Sequence, residues 1–185
     1  SAVRLWLDNT IFEITGSGYD PKGDVLHNTS TLSEEQLRSP GFELTFKICS
    51  LCNNAELNAP SAEKPYWTVW GDPTEGALVA LTRKAGFDYR KIRGMNRRIF
   101  QLSFDSVRKM MSTVNEYDEN RTVANVKGAP RELLSLCKSV FLEGGTRELT
   151  DELRSRIIEN LDHFAGDGLR VLGLAYKEVE KKESY

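Results

Sequence analysis

Three β-rich stretches in quick succession, Arg97 to Phe104, Lys109 to Tyr117 and Arg121 to Lys127, constrain this chain more than any other feature. Asp105-Ser106-Val107 turns the chain between the first two, and Asp118-Glu119-Asn120 turns it again before the third. Connections this short join antiparallel neighbours, since a parallel crossover takes a dozen or more residues. The centre of the protein is therefore expected to be an antiparallel meander.

Helices surround it in sequence. Residues 33 to 53 carry a helical period, broken by Ser39-Pro40-Gly41 into a short and a longer helix. Asp72-Pro73-Thr74-Glu75 is a compact helix start: Asp72 caps, Pro73 fits the first turn, and Glu75 stands at the reach-back place of a capping box. That helix should run to about Lys84 and stop at Gly86. Pro130 opens another to about Cys137; a strand pair follows around Gly144-Gly145, then a long helix from about Thr150 to Ala165, and a last strand from Arg170 to Lys177. Near the start, alternating runs flank Asp8-Asn9, a hairpin signal. The expected fold class is α+β, a mostly antiparallel twisted β-sheet flanked by helices. The expected organisation is a single domain over residues 1–178 with a charged tail at 179–185.

Composition removes several alternatives. With 39% apolar residues the chain can bury a core, so disorder falls away. Twenty-five Lys and Arg against 27 Asp and Glu leave a formal charge of −2, which does not suit a surface that grips nucleic acid by neutralising phosphates. No apolar run is long enough to span a bilayer, and the opening residues lack the regions of a signal peptide. Cys49 and Cys52 form a C-x-x-C, but no second pair of ligands follows at zinc spacing. Their apolar neighbours Phe46, Ile48 and Leu51 favour a buried helix that carries two thiols, and unpaired thiols fit a reducing, intracellular setting.

The familiar phosphate loops and nucleophile elbows are absent, and His27 and His163 stand alone. Three segments remain unusual. In Ser103 to Ser112 an aromatic precedes a turn and a lysine follows, and alternation would place Lys109 and Met111 on one strand face. In Val126-Lys127-Gly128-Ala129-Pro130 a lysine ends a strand, Gly128 permits close approach to the backbone, and a helix start offers N–H groups nearby. In Gly168 to Gly173, Arg170 and Leu172 again share a face if the segment is a strand. Rings and apolar walls sandwich a base, while Lys and Arg meet phosphates. Each residue also has a plain reading: Phe104, Met111 and Leu172 as packing, Glu75 as a cap, and Lys109, Lys127 and Arg170 as solvated sheet residues. Spacing alone leaves the function open.

These segments resemble the nucleotide-binding domain of P-type cation-transporting ATPases. Trp70 to Leu78 is similar to the family's GDPTE-x-AL segment, Phe104 to Met111 to its F-[DS]-x-x-[RD]-K-x-M segment, Lys127-Gly128-Ala129-Pro130 to KGAP, and Gly168 to Tyr176 to G-x-R-x-L-x-x-A. The opening residues Val3 to Gly23 resemble the hairpin and GYDPKG turn that begin the domain. The resemblance implies that Phe104 stacks on adenine, with Leu172 and Met111 completing the pocket and Glu75 accepting from the adenine amine. Lys127 would lie along the pocket floor, with Gly128 permitting close contact, and Lys109 and Arg170 would meet the phosphates. Ser106 departs from the arginine that many animal calcium pumps carry there, and Arg108 is left outside the set.

The family's phosphorylated DKTGT and its TGDGVND loop do not occur in these residues, and the resemblance assigns the chain no catalytic residue and no metal ligand. The implied molecule is a cytoplasmic ATP-binding domain of an integral membrane pump, calcium-pump-like, which alone binds ATP without hydrolysing it. Its partners would be the phosphorylation, actuator and transmembrane domains of the same pump, with neither nucleic acid nor direct membrane contact. In the intact pump, Mg²⁺ would offset phosphate charge and a hinge motion would carry the γ-phosphate to the aspartate. Two rivals from other classes remain, a stand-alone enzyme acting on nucleotides and a protein-interaction domain.

Overall fold

A two-residue turn starts the fold. The computed structural model, which describes residues 1–185, pairs β1 (Arg4–Leu7) antiparallel with β2 (Thr10–Ile14). Asp8 and Asn9 between them take φ of 55° and 59°. Left-handed backbone at both turn positions matches the twist of the flanking strands, and Asp and Asn tolerate it better than most side chains. Two further short strands, β3 (Val25–His27) and β4 (Ser30–Thr31), complete this sheet.

Contacts divide the chain into two units, Ser1–Met95 and Asn96–Tyr185. In the first, α1 (Glu34–Leu37) and α2 (Pro40–Leu51) are separated at Pro40 as their sequence requires. A two-stranded ladder, β5 (Glu56–Asn58) with β6 (Thr68–Trp70), leads into α3 (Pro73–Lys84), and α4 (Tyr89–Met95) ends the unit. Asp72 Oδ1 accepts from the backbone N–H of Thr74 and Glu75, so the helix begins at the residue its cap dictates. The core is aromatic: Phe42 meets Phe12 edge-on at 5.0 Å, lies parallel to Phe46 at 6.1 Å, and Phe46 contacts Phe87 at 5.0 Å. Cys49 and Cys52 form no disulfide and are wholly buried at the end of α2, as the structural reading of the two thiols requires.

The second unit is built on the meander. Strands β7 (Arg98–Asp105), β8 (Met110–Glu116), β9 (Thr122–Gly128) and β12 (Gly173–Val179) form one antiparallel sheet in the order β12-β9-β8-β7. Between β9 and β12 the chain forms α5 (Pro130–Leu136), the hairpin β10 (Ser139–Leu142) with β11 (Gly145–Glu148), and α6 (Asp151–Gly166). Thr150 caps α6 through Leu153 N–H, and α5 packs on β12 and β9. The class is α+β with every strand pair antiparallel, divided among four separate sheets.

Two boundaries differ from expectation. The last strand begins at Gly173, which leaves Arg170 and Leu172 in the irregular run before it, and it extends to Val179. The tail is not bare either: Lys181 Nζ bonds Glu116 Oε1 at 2.6 Å, and the Tyr185 ring lies 5.6 Å from Phe100.

Candidate nucleotide-binding site

The register of the second sheet gathers most of the residues singled out above. Met111 on β8 stands opposite Lys127 on β9, and Lys127 stands opposite Leu174 on β12. One row further, Met110, Gly128 and Gly173 are aligned across the same three strands. On β7 the pairing slips: Leu102 faces Ser112 and Asp105 faces Met110, so Ser103 and Phe104 together stand where β8 offers only Met111. A bulge of this kind adds local twist and re-aims a side chain. Phe104 is 64% exposed, whereas Met111 and Lys127 are buried.

The turn between β7 and β8 is specified residue by residue. Asp105 Oδ1 accepts from the N–H of Val107 at 2.7 Å and of Arg108 at 2.9 Å, a side-chain mimic of a backbone turn. Those two N–H groups hold the Asp105 carboxyl below its ordinary value. Arg108 folds back on the same hairpin, its Nη2 donating to the Ser103 carbonyl at 3.1 Å. Its guanidinium braces the turn, a role the sequence left unassigned.

Lys109 closes this turn with φ of 55°, and so does not share a strand face with Met111. Its carbonyl accepts from Ala129 N–H at 2.9 Å. A Cβ at Gly128 would fall 2.5 Å from that carbonyl oxygen and 2.6 Å from Met110 Cβ. Gly128 is thus required by the packing of the Lys109 turn on β9, a reason internal to the protein beside the expected approach of a ligand. The Lys109 ammonium lies 2.7 Å from Glu132 Oε1 in the first turn of α5. Glu132 was not foreseen; an acidic residue two places after Pro130 is its only trace in the sequence.

Arg170 is exposed and Leu172 half-buried, both in the irregular run before Gly173, so the face they were expected to share as strand residues does not exist. Glu75 belongs to the first unit. It is buried in the first turn of α3, where its Oε2 accepts from Asn54 N–H at 3.0 Å and its carbonyl accepts from Asn53 Nδ2 at 2.9 Å. Lys109 and Arg170 present nitrogen donors, which suit phosphate oxygens; Mg²⁺ takes oxygen ligands, so no residue of this set is assigned to the metal.

Comparison with known proteins gives this geometry a context. The profile of the family "P-type ATPase, cytoplasmic domain N" matches residues 41–185. Calcium-transporting ATPase 1 of Lactococcus lactis is 37% identical over 176 residues, covering 89% of this chain and 19% of that protein. The calcium-transporting ATPase of Bacillus subtilis is 29% identical over 184 residues, 100% of this chain and 20% of that protein. The sodium/potassium-transporting ATPase alpha subunit of Drosophila melanogaster is 29% identical over 178 residues, 94% of this chain and 16% of that protein. The chain thus spans about a fifth of the length of these relatives, and the matched family residues contain the meander, the bulged strand, the Lys127–Pro130 segment and the run into the last strand. By that match the chain belongs to the P-type ATPases, as their cytoplasmic domain N.

Proposed function

We propose that this chain binds ATP for a cation-transporting P-type ATPase of the calcium-pump kind. Residues 1–178 act together as one nucleotide-binding domain, with 179–185 as its charged tail. Adenine stacks on Phe104 and is walled by Met111 and Leu172, while Lys127 lies along the floor with Gly128 beside it. Lys109 and Arg170 meet the phosphates. Glu75 accepts from the adenine amino group, a role that rests on the Gly71–Glu75 motif. The observation that carries the reading is the aromatic ring left in solvent by a strand bulge, beside a buried cross-strand row of Met111 and Lys127. A large exposed apolar side chain at a defined site is unusual enough to mark a binding surface. The calcium-transporting ATPases among the relatives support the pump and its calcium type.

In the full pump the bound nucleotide would present its γ-phosphate to an aspartate of the phosphorylation domain. Mg²⁺ accompanying the phosphates would neutralise part of their charge. What this chain contributes is binding and orientation, and none of its residues is assigned to bond making or breaking.

ATP titration of the 185-residue chain followed by NMR, with phosphate release measured in parallel, tests the reading. The expected result is saturable binding without turnover, at a Kd of about 0.1–1 mM, equivalent to about 4–5.5 kcal/mol. Turnover would identify a self-sufficient enzyme instead, and absence of binding would leave a protein-interaction domain.

A further inference from the structure

The two cations assigned to the phosphates are in different states. Arg170 lies exposed ahead of β12 and makes no ion pair or side-chain hydrogen bond. Lys109 is committed, its Nζ donating to Glu132 Oε1 at 2.7 Å. Both roots of that pair are fixed. Lys109 is anchored through its carbonyl to Ala129 N–H, and Glu132 sits in the helical turn that follows directly. The neighbouring Arg131 is bonded to Asp162 of α6, which leaves the Glu132 carboxylate to Lys109. The Lys109 hydrogen bond, followed by Glu132's own N–H, holds the Glu132 carboxyl below its ordinary value of 4.5, so it is anionic at neutral pH.

We propose that Glu132 is a gate on the phosphate end of the site: it occupies Lys109 when no nucleotide is present and must yield that lysine when phosphate arrives. The inference rests on the ATP-binding reading above. Carboxylate and phosphate are both oxyanions, and a lysine serves either as a point charge. Two anions brought against one ammonium repel, so part of the phosphate attraction is spent on displacing Glu132. Base stacking involves neither group. Glu132 therefore sets how strongly the site favours a nucleotide with a phosphate tail over the bare nucleoside. The side chains of the pair are 55% and 40% exposed, and exposed pairs are weak, so the gate is shallow.

The test compares ATP and adenosine affinities by NMR titration of the wild-type chain, Glu132→Gln, Lys109→Met and the double variant. Glu132→Gln is expected to tighten ATP about two- to fivefold and leave adenosine unchanged, with the gain lost in the Lys109→Met background. An unchanged or weaker ATP affinity in Glu132→Gln overturns the gate. So does an equal gain with and without Lys109, which would mean general charge repulsion. A second readout needs no variant: the ¹³C-detected pKa of the Glu132 carboxyl should rise toward its ordinary value on saturation with ATP and stay put with adenosine. A pKa unmoved by ATP contradicts the proposal. If the wild-type chain binds neither ligand, the ATP reading itself fails and the gate goes with it.

Discussion

Both units bury polar as well as apolar side chains, but one interior is organised around clustered rings and the other around a chain of paired amides. In Ser1–Met95 the interior is a run of phenylalanine rings, and Phe46 is 0% exposed. In Asn96–Tyr185 the innermost positions of the sheet include Thr113, Asn115 and Asn125, all buried, while the strand at the sheet edge holds Phe104 out at 64% exposure. The buried amides are paired: Asn125 Nδ2 donates to Asn115 Oδ1 at 3.2 Å, Asn115 Nδ2 donates to the Asn96 carbonyl at 2.9 Å, and the Tyr117 hydroxyl bonds to Asn125 Oδ1. Apolar burial is non-directional and tolerates substitution by similar volumes. A satisfied polar network is directional and fixes one register. The first unit therefore draws stability from its rings, and the second uses hydrogen bonds to hold a sheet whose edge strand leaves Phe104 exposed.

This contrast can be broken by substitution. The largest effect should come from Phe46→Ala, which empties a fully enclosed site and is expected to cost about 3–5 kcal/mol in urea unfolding. A loss below about 1 kcal/mol would show that the ring cluster does not carry the first unit. Next is Asn125→Ala, which takes the Asn125 amide donor away from the buried Asn115 Oδ1, at a cost of about 1–3 kcal/mol. A neutral result would mean that water reaches the network. Smallest is Phe104→Ala, whose expected change in unfolding free energy is within about 0.5 kcal/mol, as for other exposed positions.

Local signals were legible in the sequence, and non-local ones were not. The break at Pro40, the cap at Asp72 and the turn at Asp8-Asn9 are each decided by chemistry within a few residues, and the structure follows them. The pairs β3 with β4 and β5 with β6 are not legible because strands of two or three residues carry no period. The β5 segment is held from a distance, with Leu57 N–H donating to the Tyr89 hydroxyl across 32 residues of sequence. Helix α4 does carry a local signal, since Asp88 Oδ1 accepts from Arg90 and Lys91 N–H as a cap does.

At the candidate site, residue types were readable and their arrangement was not. The bulge at Ser103 and Phe104 exists only as a mismatch with β8. Alternation failed for Lys109 because the turn is longer than Asp105 to Val107, and for Arg170 and Leu172 because β12 starts at Gly173. The Lys109–Glu132 pair joins a residue of the β7–β8 turn to one two places beyond Pro130, which no local pattern can reveal.

The proposed site stacks a purine on the exposed ring of Phe104. Its most direct test is the ATP affinity of Phe104→Ala, measured by NMR titration on protein shown by its thermal melt to be as stable as the wild type. The account predicts a loss of at least about tenfold, about 1.4 kcal/mol, with the fold intact. Wild-type affinity in the Phe104→Ala chain would contradict it.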